Sequence, residues 1–170
     1  MAVIPIRLLG DPVLRAKCKR VSAAGKSIQR LIEDMIETLR AAPGSGLAAP
    51  QVGVPLRVVV VEPAEGELYC LINPEVVKRS GSRSVEEGCL SVPGYRAMIP
   101  RSEAVLVKAR DRSYRPVRIR ASELLAQALE HEIDHLDGVL FVDYLKSQDE
   151  LYRVDTGPQP VAQEQDVPAR

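Results

Sequence analysis

Two histidines four residues apart, with a glutamate beside the first, form a group in this sequence that can do chemistry. The stretch is His131-Glu132-Ile133-Asp134-His135, which matches the pattern H-E-x-x-H. Residues four apart on a helix lie one turn apart on the same face, so both imidazoles can bind one metal ion. Glu132 can then act as a base toward a metal-bound water. The chain contains only these two histidines, so a third protein ligand must be of another type.

The segment around this motif has the pattern of a helix with one buried side. Ser122 is typical of a helix N-cap, and Gly138 is typical of the residue that ends a helix. At about 100° per residue, Glu130 and Asp134 fall on a stripe that we expect to face water. Glu132 and both histidines fall on the opposite side, among Leu124, Leu125, Ala128, Leu129 and Leu136. An inward carboxylate is costly without a partner, which favours a metal site over two hydrogen-bonded core histidines.

Length and composition indicate a single domain with a substantial core. We assign residues 1–150 to this domain and residues 151–170, rich in proline, glutamine and acids, to a disordered tail. The 23 basic and 23 acidic residues balance, so no nucleic-acid site is evident and no overall field draws the chain to anionic lipid. No apolar run is long enough to span a membrane, and the start resembles neither a signal nor a transit peptide. The sequence therefore predicts a cytoplasmic enzyme.

The elements predict an α+β fold in which antiparallel or mixed strands pack around the ligand helix. An amphipathic helix is expected near the N-terminus at residues 27–41, followed by a glycine-containing loop at residues 44–53. Asn73-Pro74 is expected to interrupt a strand, and the four consecutive valines at 58–61 indicate burial on both faces of a sheet. Strands are expected at residues 56–61, 68–72, 76–78, 82–86 and 95–100, with a further hairpin within residues 105–119.

The third metal ligand has several candidate sources. In one class of zinc peptidase the motif extends to H-E-x-x-H-x-x-G-x-x-H, but Phe141 stands where the last histidine would be. A downstream glutamate is a poor candidate, because Glu150 follows closely and Glu164 lies in the predicted tail. The three cysteines are odd in number and far apart, which argues for reduced thiols rather than disulfides.

Cys89 is the cysteine best placed to bind a metal. Cys70 lies in the middle of a predicted strand and is most simply a small buried hydrophobe. Cys18 lies between lysines and is expected near the surface. Cys89 follows a glycine at a turn after a strand, where the backbone can aim the side chain at a site. On ligand type alone, a Cys/His/His set suits zinc.

Three segments, in order along the chain, resemble the signature motifs of the peptide deformylase family. They are GSGLAAPQ at residues 44–51, EGCLS at residues 87–91 and HEIDHLDG at residues 131–138. The segment GDPVLR at residues 10–15 is also similar to that family, and the resemblance covers residues 4–145. It implies a hydrolase that removes the formyl group from the N-terminal formyl-methionine of newly made polypeptides.

The resemblance also implies a metal and its ligands. Cys89, His131 and His135 are expected to bind one ion. In the family this ion is typically Fe²⁺, with Zn²⁺, Ni²⁺ or Co²⁺ as possible substitutes. Glu132 is expected to deprotonate the attacking water and then to protonate the leaving amine.

Other roles follow from the same resemblance. The side-chain amide of Gln51 and the backbone N–H of Leu90 are expected to stabilise the tetrahedral oxyanion. Glu87 and Arg101 are expected to form a structural pair beside the loop. Arg96 is a candidate for a contact with the peptide.

The peptide substrate is expected to lie along the backbone near Gly46 and Gly88, as a strand added to a sheet edge. Its methionine side chain needs an apolar pocket. The candidates for this pocket are Leu124, Leu125 and Ala128, for which plain core packing is an equally good interpretation.

The chain departs from the family pattern at two places, and two alternative functions stay open. Glu130 stands where many members have glutamine, and we expect little effect because it faces water on the helical wheel. Some members dock on the ribosome through a basic C-terminal helix, whereas this chain ends in a proline-rich, mildly acidic segment, so only transient ribosome contact is expected. The alternatives are a zinc peptidase with an unrecognised third ligand and a non-catalytic homologue that binds peptides.

Overall fold

The computed structural model of the protein describes residues 2–154, which form two helices and eight strands. The helices are α1 (Lys26–Arg40) and α2 (Glu123–Leu136). The strands are β1 (Gly46–Ala48), β2 (Val58–Val61), β3 (Tyr69–Ser80), β4 (Arg83–Cys89), β5 (Val92–Arg101), β6 (Ala104–Arg110), β7 (Pro116–Ser122) and β8 (Tyr152–Arg153). The predicted α+β class and both predicted helices are confirmed.

The strands form two antiparallel sheets, one with the order β1-β2-β3-β6-β7 and one with the order β4-β5-β8. The helices cover opposite faces of the five-stranded sheet, because β2 is apolar on both sides. In β2, Val58 and Val60 pack with α1, whereas Val59 and Val61 pack with α2. All four valines are fully buried, as the sequence predicted. Both β1 and β4 are edge strands, which leaves part of their backbone free to pair.

Two sequence expectations about strands are wrong. Residues 46–48 were expected to be loop but form the edge strand β1. Asn73-Pro74 does not interrupt the chain of strands, because β3 runs through it with two register shifts. Asn73 takes a φ of 51°, which asparagine tolerates, and its buried amide exchanges hydrogen bonds with the backbone N–H and C=O of Val21. The expected break is therefore a bulge in one long strand.

The ends of α2 and the segment after it follow the sequence more closely. Ser122 is the N-cap, although its side chain makes no capping hydrogen bond, and Gly138 follows the last helical turn with a φ of 74°. Phe141–Tyr144 forms a short 3₁₀ turn after the helix. Cys18 is not near the surface as predicted, since its backbone bonds the end of α2 and only 8% of the residue is exposed.

The sheet continues past residue 150. Tyr152–Arg153 pairs with β5, with Arg153 opposite Tyr95. The rest of the predicted tail, residues 155–170, lies outside the described residues, so its disorder stays a prediction. Within residues 2–154, no helix is long and apolar enough to cross a membrane.

Candidate metal centre

The structure brings Cys89, His131 and His135 together at one point. The two histidines lie one turn apart on α2, and their Nε2 atoms are 3.1 Å apart. Cys89 ends β4, where the pairing with β5 shifts register, and its Sγ lies 3.4 Å from Nε2 of His135. The three potential ligand atoms all lie within 4.8 Å of one another.

This geometry fits a divalent transition metal. A tetrahedral ion with bonds of about 2.0–2.3 Å separates its ligands by roughly 3.4–3.6 Å. The distances from Nε2 of His135 to Nε2 of His131 and to Sγ of Cys89, 3.1 and 3.4 Å, are close to this. Both imidazoles turn Nε2 toward the shared point, and a thiolate with two imidazoles suits borderline ions such as zinc and ferrous iron. The residues therefore fit the ion that the sequence analysis expected, without selecting one metal.

A buried ion pair fixes the orientation of His131. The Glu87 carboxylate bonds Nδ1 of His131, which leaves Nε2 for a metal. Arg101 donates to the same carboxylate, with Nε 3.0 Å from Oε2. Burial opposes ionisation of Glu87, but the hydrogen bonds from His131 and Arg101 outweigh it and lower its pKa to about 2. The expected Glu87–Arg101 pair is thus present and reaches a ligand.

Arg101 also bonds a second carboxylate, that of Asp134 on α2. Nη1 of Arg101 lies 2.7 Å from an oxygen of Asp134, and the hydroxyl of Tyr144 donates to that oxygen at 2.7 Å. Burial opposes the charge on Arg101, but Glu87 first and then Asp134 raise the pKa of its guanidinium, so it stays charged. Asp134 precedes His135, so the network holds the helix at the turn where both histidines lie. The sequence did not reveal the roles of Asp134 and Tyr144, because both residues act through Arg101 on β5, a strand distant from them in the chain.

Glu132 points into the same cavity and is 4% exposed. Its Oε1 lies 4.0 Å from Nε2 of His131, and its Oε2 has no hydrogen-bond partner among the described residues. Burial, reinforced by the negative Glu87, raises its pKa to about 7. A group with this pKa exchanges protons readily near neutral pH. The inward orientation that the helical wheel predicted for Glu132 is confirmed.

The side chain of Gln51 lies beside the thiol of Cys89. Its Oε1 accepts the backbone N–H of Ala48 at 2.9 Å, and its Nε2 donates to Oγ of Ser91 at 3.1 Å. The same amide nitrogen is 3.6 Å from Sγ of Cys89. Ser91 was not singled out from the sequence, although it belongs to the segment at residues 87–91. These contacts hold the Gln51 amide beside the metal position.

A cleft of about 520 Å³ opens above this group. Gly46 of β1 and Gly88 of β4 line its walls, so two sheet edges face it. Leu124 and Ala128 of α2 also line it, with Arg96 on the rim. Other lining residues include Gln51, Cys89, Leu90, His131 and Glu132.

One pocket candidate does not line the cleft. Leu125 packs into the core between α2 and the sheet, because one residue on a helix turns the side chain by about 100°. Leu124, by contrast, is half exposed at the mouth of the cleft. Of the two interpretations left open by the sequence, core packing therefore describes Leu125.

The expectation that Glu130 faces water is wrong. It is 6% exposed and accepts hydrogen bonds from the backbone N–H of Ser102 at 2.9 Å and from its hydroxyl at 2.7 Å. Arg79 of β3 also donates to it at 3.1 Å. The polar stripe of α2 is covered by the connection between β5 and β6, which a helical wheel cannot show. A carboxylate at this position anchors the helix rather than solvating it.

Comparison with protein families places this cleft among related enzymes. The family model described as polypeptide deformylase matches residues 3–151. A peptide deformylase of Dehalococcoides mccartyi (strain CBDB1) is 52% identical over 155 residues, which cover 91% of this chain and 93% of the relative. One from Halothermothrix orenii is 51% identical over 144 residues, covering 84% of this chain and 94% of the relative.

Solved structures give the same result. A crystal structure of a peptide deformylase from Legionella pneumophila has a TM-score of 0.85 and 45% identity, covering 88% of this chain and 89% of that one. A peptide deformylase from Synechococcus elongatus, solved in complex with actinonin, has a TM-score of 0.84 and 40% identity, covering 88% and 82%. The fold and the sequence are therefore similar to the same group of proteins.

Proposed function

The chain belongs to the polypeptide deformylase family, and we propose that its cleft releases formate from the N-terminal formyl-methionine of newly made polypeptides. The observation that supports this most is the convergence of Cys89, His131 and His135 beside Glu132, whose Oε2 has no hydrogen-bond partner within residues 2–154. The zinc peptidase alternative has less support, because the buried Phe141 packs against His131 and supplies no ligand. The alternative of a peptide-binding module without activity also has less support, because the similar proteins described above are peptide deformylases.

We propose that Cys89, His131 and His135 hold one Fe²⁺ ion, with Zn²⁺, Ni²⁺ or Co²⁺ as substitutes. The preference for iron rests on the resemblance to the family, since the ligand set alone suits zinc equally well. When bound, such an ion supplies Lewis acidity, which makes water more acidic and polarises a carbonyl oxygen. The pair between Glu87 and His131 would keep the ligand ring oriented.

Glu132 is proposed as the general base and then the general acid. Its carboxylate would take a proton from the attacking water as the water oxygen bonds the formyl carbon. It would return that proton to the amine nitrogen as the carbon–nitrogen bond breaks, which releases formate and a free amino terminus. The burial of Glu132 and its pKa of about 7 support both steps.

Gln51 and Leu90 are proposed to stabilise the oxyanion that forms on the formyl oxygen. The Gln51 amide is held by Ala48 and Ser91, so its N–H groups are oriented before substrate arrives. The backbone N–H of Leu90 follows Cys89 directly along the same wall of the cleft. Loss of one such donor typically lowers kcat about 100- to 1,000-fold. A Gln51→Leu variant with full turnover would remove it from this scheme.

The substrate backbone is proposed to pair with the edges of β1 and β4, near Gly46 and Gly88. Both strands have a free edge beside the cleft. The apolar surface of Leu124 and Ala128 would receive the methionine side chain. Arg96 would contact the peptide from the rim.

The place of action follows from the substrate. Formylated polypeptides are made in the cytoplasm of bacteria, and the curated relatives described above are bacterial. We therefore propose that the protein acts in the cytoplasm on nascent chains, with at most transient ribosome contact.

The deciding experiment combines metal analysis with an activity assay. Protein prepared without oxygen is loaded with Fe²⁺, its metal content is measured, and formate release from a formyl-methionyl peptide is followed. Cys89→Ala should abolish both metal retention and formate release, whereas Cys70→Ala, on a strand away from the cleft, should preserve both. A metal-loaded wild-type protein that releases no formate would refute the proposal. A Cys89→Ala protein that retains metal would instead favour the zinc peptidase.

A further inference from the structure

Four exposed basic residues lie together on one face of the five-stranded sheet. They are Lys78 of β3, Lys108 of β6, and Arg118 and Arg120 of β7, and we call them the basic face. The sequence neighbours of Lys108, Arg118 and Arg120 pack against α2, so strand alternation turns these three cations to the opposite side. Lys78 lies on the same side, because it is directly opposite Leu106, two residues before Lys108 on β6. This is the side that α1 covers over β1 and β2 but leaves open over β6 and β7.

Strand register places like charges next to one another on this face. Lys108 of β6 is directly opposite Arg118 of β7. Leu106 of β6 has Lys78 opposite it on β3 and Arg120 opposite it on β7. Like charges directly opposite in a sheet destabilise the fold. Within residues 2–154 none of the four cations forms an ion pair. The chain therefore keeps an arrangement that its own folding does not favour.

Protection of a sheet edge explains only part of the arrangement. Lysine and arginine on an edge strand discourage pairing with other chains, and this reason applies to Arg118 and Arg120 on β7. It applies also to Lys78, because β2 pairs with β3 only at residues 69–72 and leaves the later part of β3 paired with β6 alone. It does not apply to Lys108, since β6 is paired on both sides. Glu75 lies opposite Lys108 and offsets one of the four charges, and an external anion would balance the others.

We propose that the basic face binds the phosphodiester backbone of a nucleic acid. The cations are spaced by about 5 Å across strands and about 7 Å along them, which suits a linear polyanion with a charge about every 3.4 Å of each strand. Guanidinium groups such as Arg118 and Arg120 bind phosphate through two parallel hydrogen bonds. One backbone brings several phosphates at once, whereas separate lipid headgroups must be gathered one by one, so a nucleic acid is favoured over a membrane.

The basic face is separate from the metal centre. The four cations project on the side of the sheet away from α2, and none of them lines the cleft. Nucleic-acid binding and hydrolysis of a free formyl peptide are therefore independent. Failure of one proposal leaves the other standing.

The test compares the wild type with Lys108→Gln/Arg118→Gln and a control, Lys17→Gln/Lys146→Gln, which removes two exposed cations elsewhere. Fluorescence anisotropy measures binding of uridine RNA and thymidine DNA oligomers of about 20 nucleotides. With four phosphate contacts, wild-type affinity should fall about 50-fold between about 50 and 200 mM salt, against about 7-fold for the variant with two contacts left. The control should follow the wild type. Comparison of the affinities for the RNA and the DNA oligomer shows which backbone the protein prefers.

Folding and activity are checked in the same proteins. Formate release from a short free peptide should be equal in all three. The unfolding midpoint of Lys108→Gln/Arg118→Gln should be close to that of the wild type, because the variant loses both the repulsion between Lys108 and Arg118 and the attraction between Lys108 and Glu75. The proposal is overturned if the wild type binds neither oligomer at low salt, or if both double variants weaken binding equally. Binding to phosphatidylserine vesicles without binding to either oligomer would also overturn it, in favour of a membrane.

Discussion

Replacement of Gly46 by alanine should disable the general base without touching the metal ligands. A Cβ built on Gly46 lies 2.6 Å from Oε1 of Glu132, 2.8 Å from its Cγ and 2.9 Å from its Cδ. All three nearest atoms thus belong to the proposed base. Since ordinary contacts begin at 3.4 Å, the carboxylate has to move by the difference, about 0.8 Å.

The size of the effect follows from that displacement. A catalytic group misplaced by about 1 Å typically lowers the rate about 100-fold. We expect kcat of Gly46→Ala to fall by about this factor, with KM little changed, because the added methyl points toward Glu132 rather than into the path of the peptide. Steady-state formate release gives both constants, and metal analysis should show one ion per chain as in the wild type.

A matched control is Gly25→Ala, whose Cβ meets nothing within 4 Å. Its kcat should equal that of the wild type. Full turnover in a folded, metal-loaded Gly46→Ala protein would refute the reasoning, because the position of Glu132 beside β1 would then be unimportant. Loss of metal in Gly46→Ala would equally count against it, since the effect would not come from the base.

Three further predictions concern groups around the centre. Glu87→Gln removes the charge that orients His131, so dissociation of the metal to a chelator should be about 10- to 100-fold faster. Burial raises the pKa of Cys18 from 9.0 to about 11, so at neutral pH its alkylation should be about 100-fold slower than that of an ordinary thiol, with a rate that rises until the pH passes 11. Glu130→Ala leaves the buried N–H of Ser102 without its acceptor, which should lower the free energy of unfolding by about 1–3 kcal/mol in urea titrations.

Each of these has its own check. Glu86→Gln, on the exposed neighbour of Glu87, should keep the wild-type rate of metal release. Alkylation of Cys18 that is already fast at neutral pH would show that its thiol is not desolvated. Glu130→Gln can still accept from Ser102, so it should be less destabilising than Glu130→Ala, and equal losses would mean that the hydrogen bond is unimportant.

The parts of the centre that depend on one helix were predictable from the sequence. Helical spacing places His131, Glu132 and His135 on a common face, and the structure has them there. Cys89 was predictable by elimination among three cysteines, because only its position at a glycine turn left the side chain free to reach a site. The alternation in β2 likewise comes directly from four valines in a row.

What the sequence did not reveal depends on segments far apart in the chain. The polar stripe with Glu130 resembles a solvated face until the segment around Ser102 is laid over it. Asn73-Pro74 resembles a break until the amide of Asn73 is seen to bond Val21, 52 residues away. The balanced charge concealed the basic face for the same reason, since only strand register brings Lys108 next to Arg118.

The shortness of β1 has a consequence for which proteins the enzyme can process. This edge strand has three residues, so a peptide that pairs with it meets backbone partners over only about that length. Main-chain hydrogen bonds are the same for every sequence, so pairing with β1 does not distinguish one polypeptide from another. An enzyme built in this way recognises a chain terminus rather than a protein. One copy can therefore serve a whole proteome.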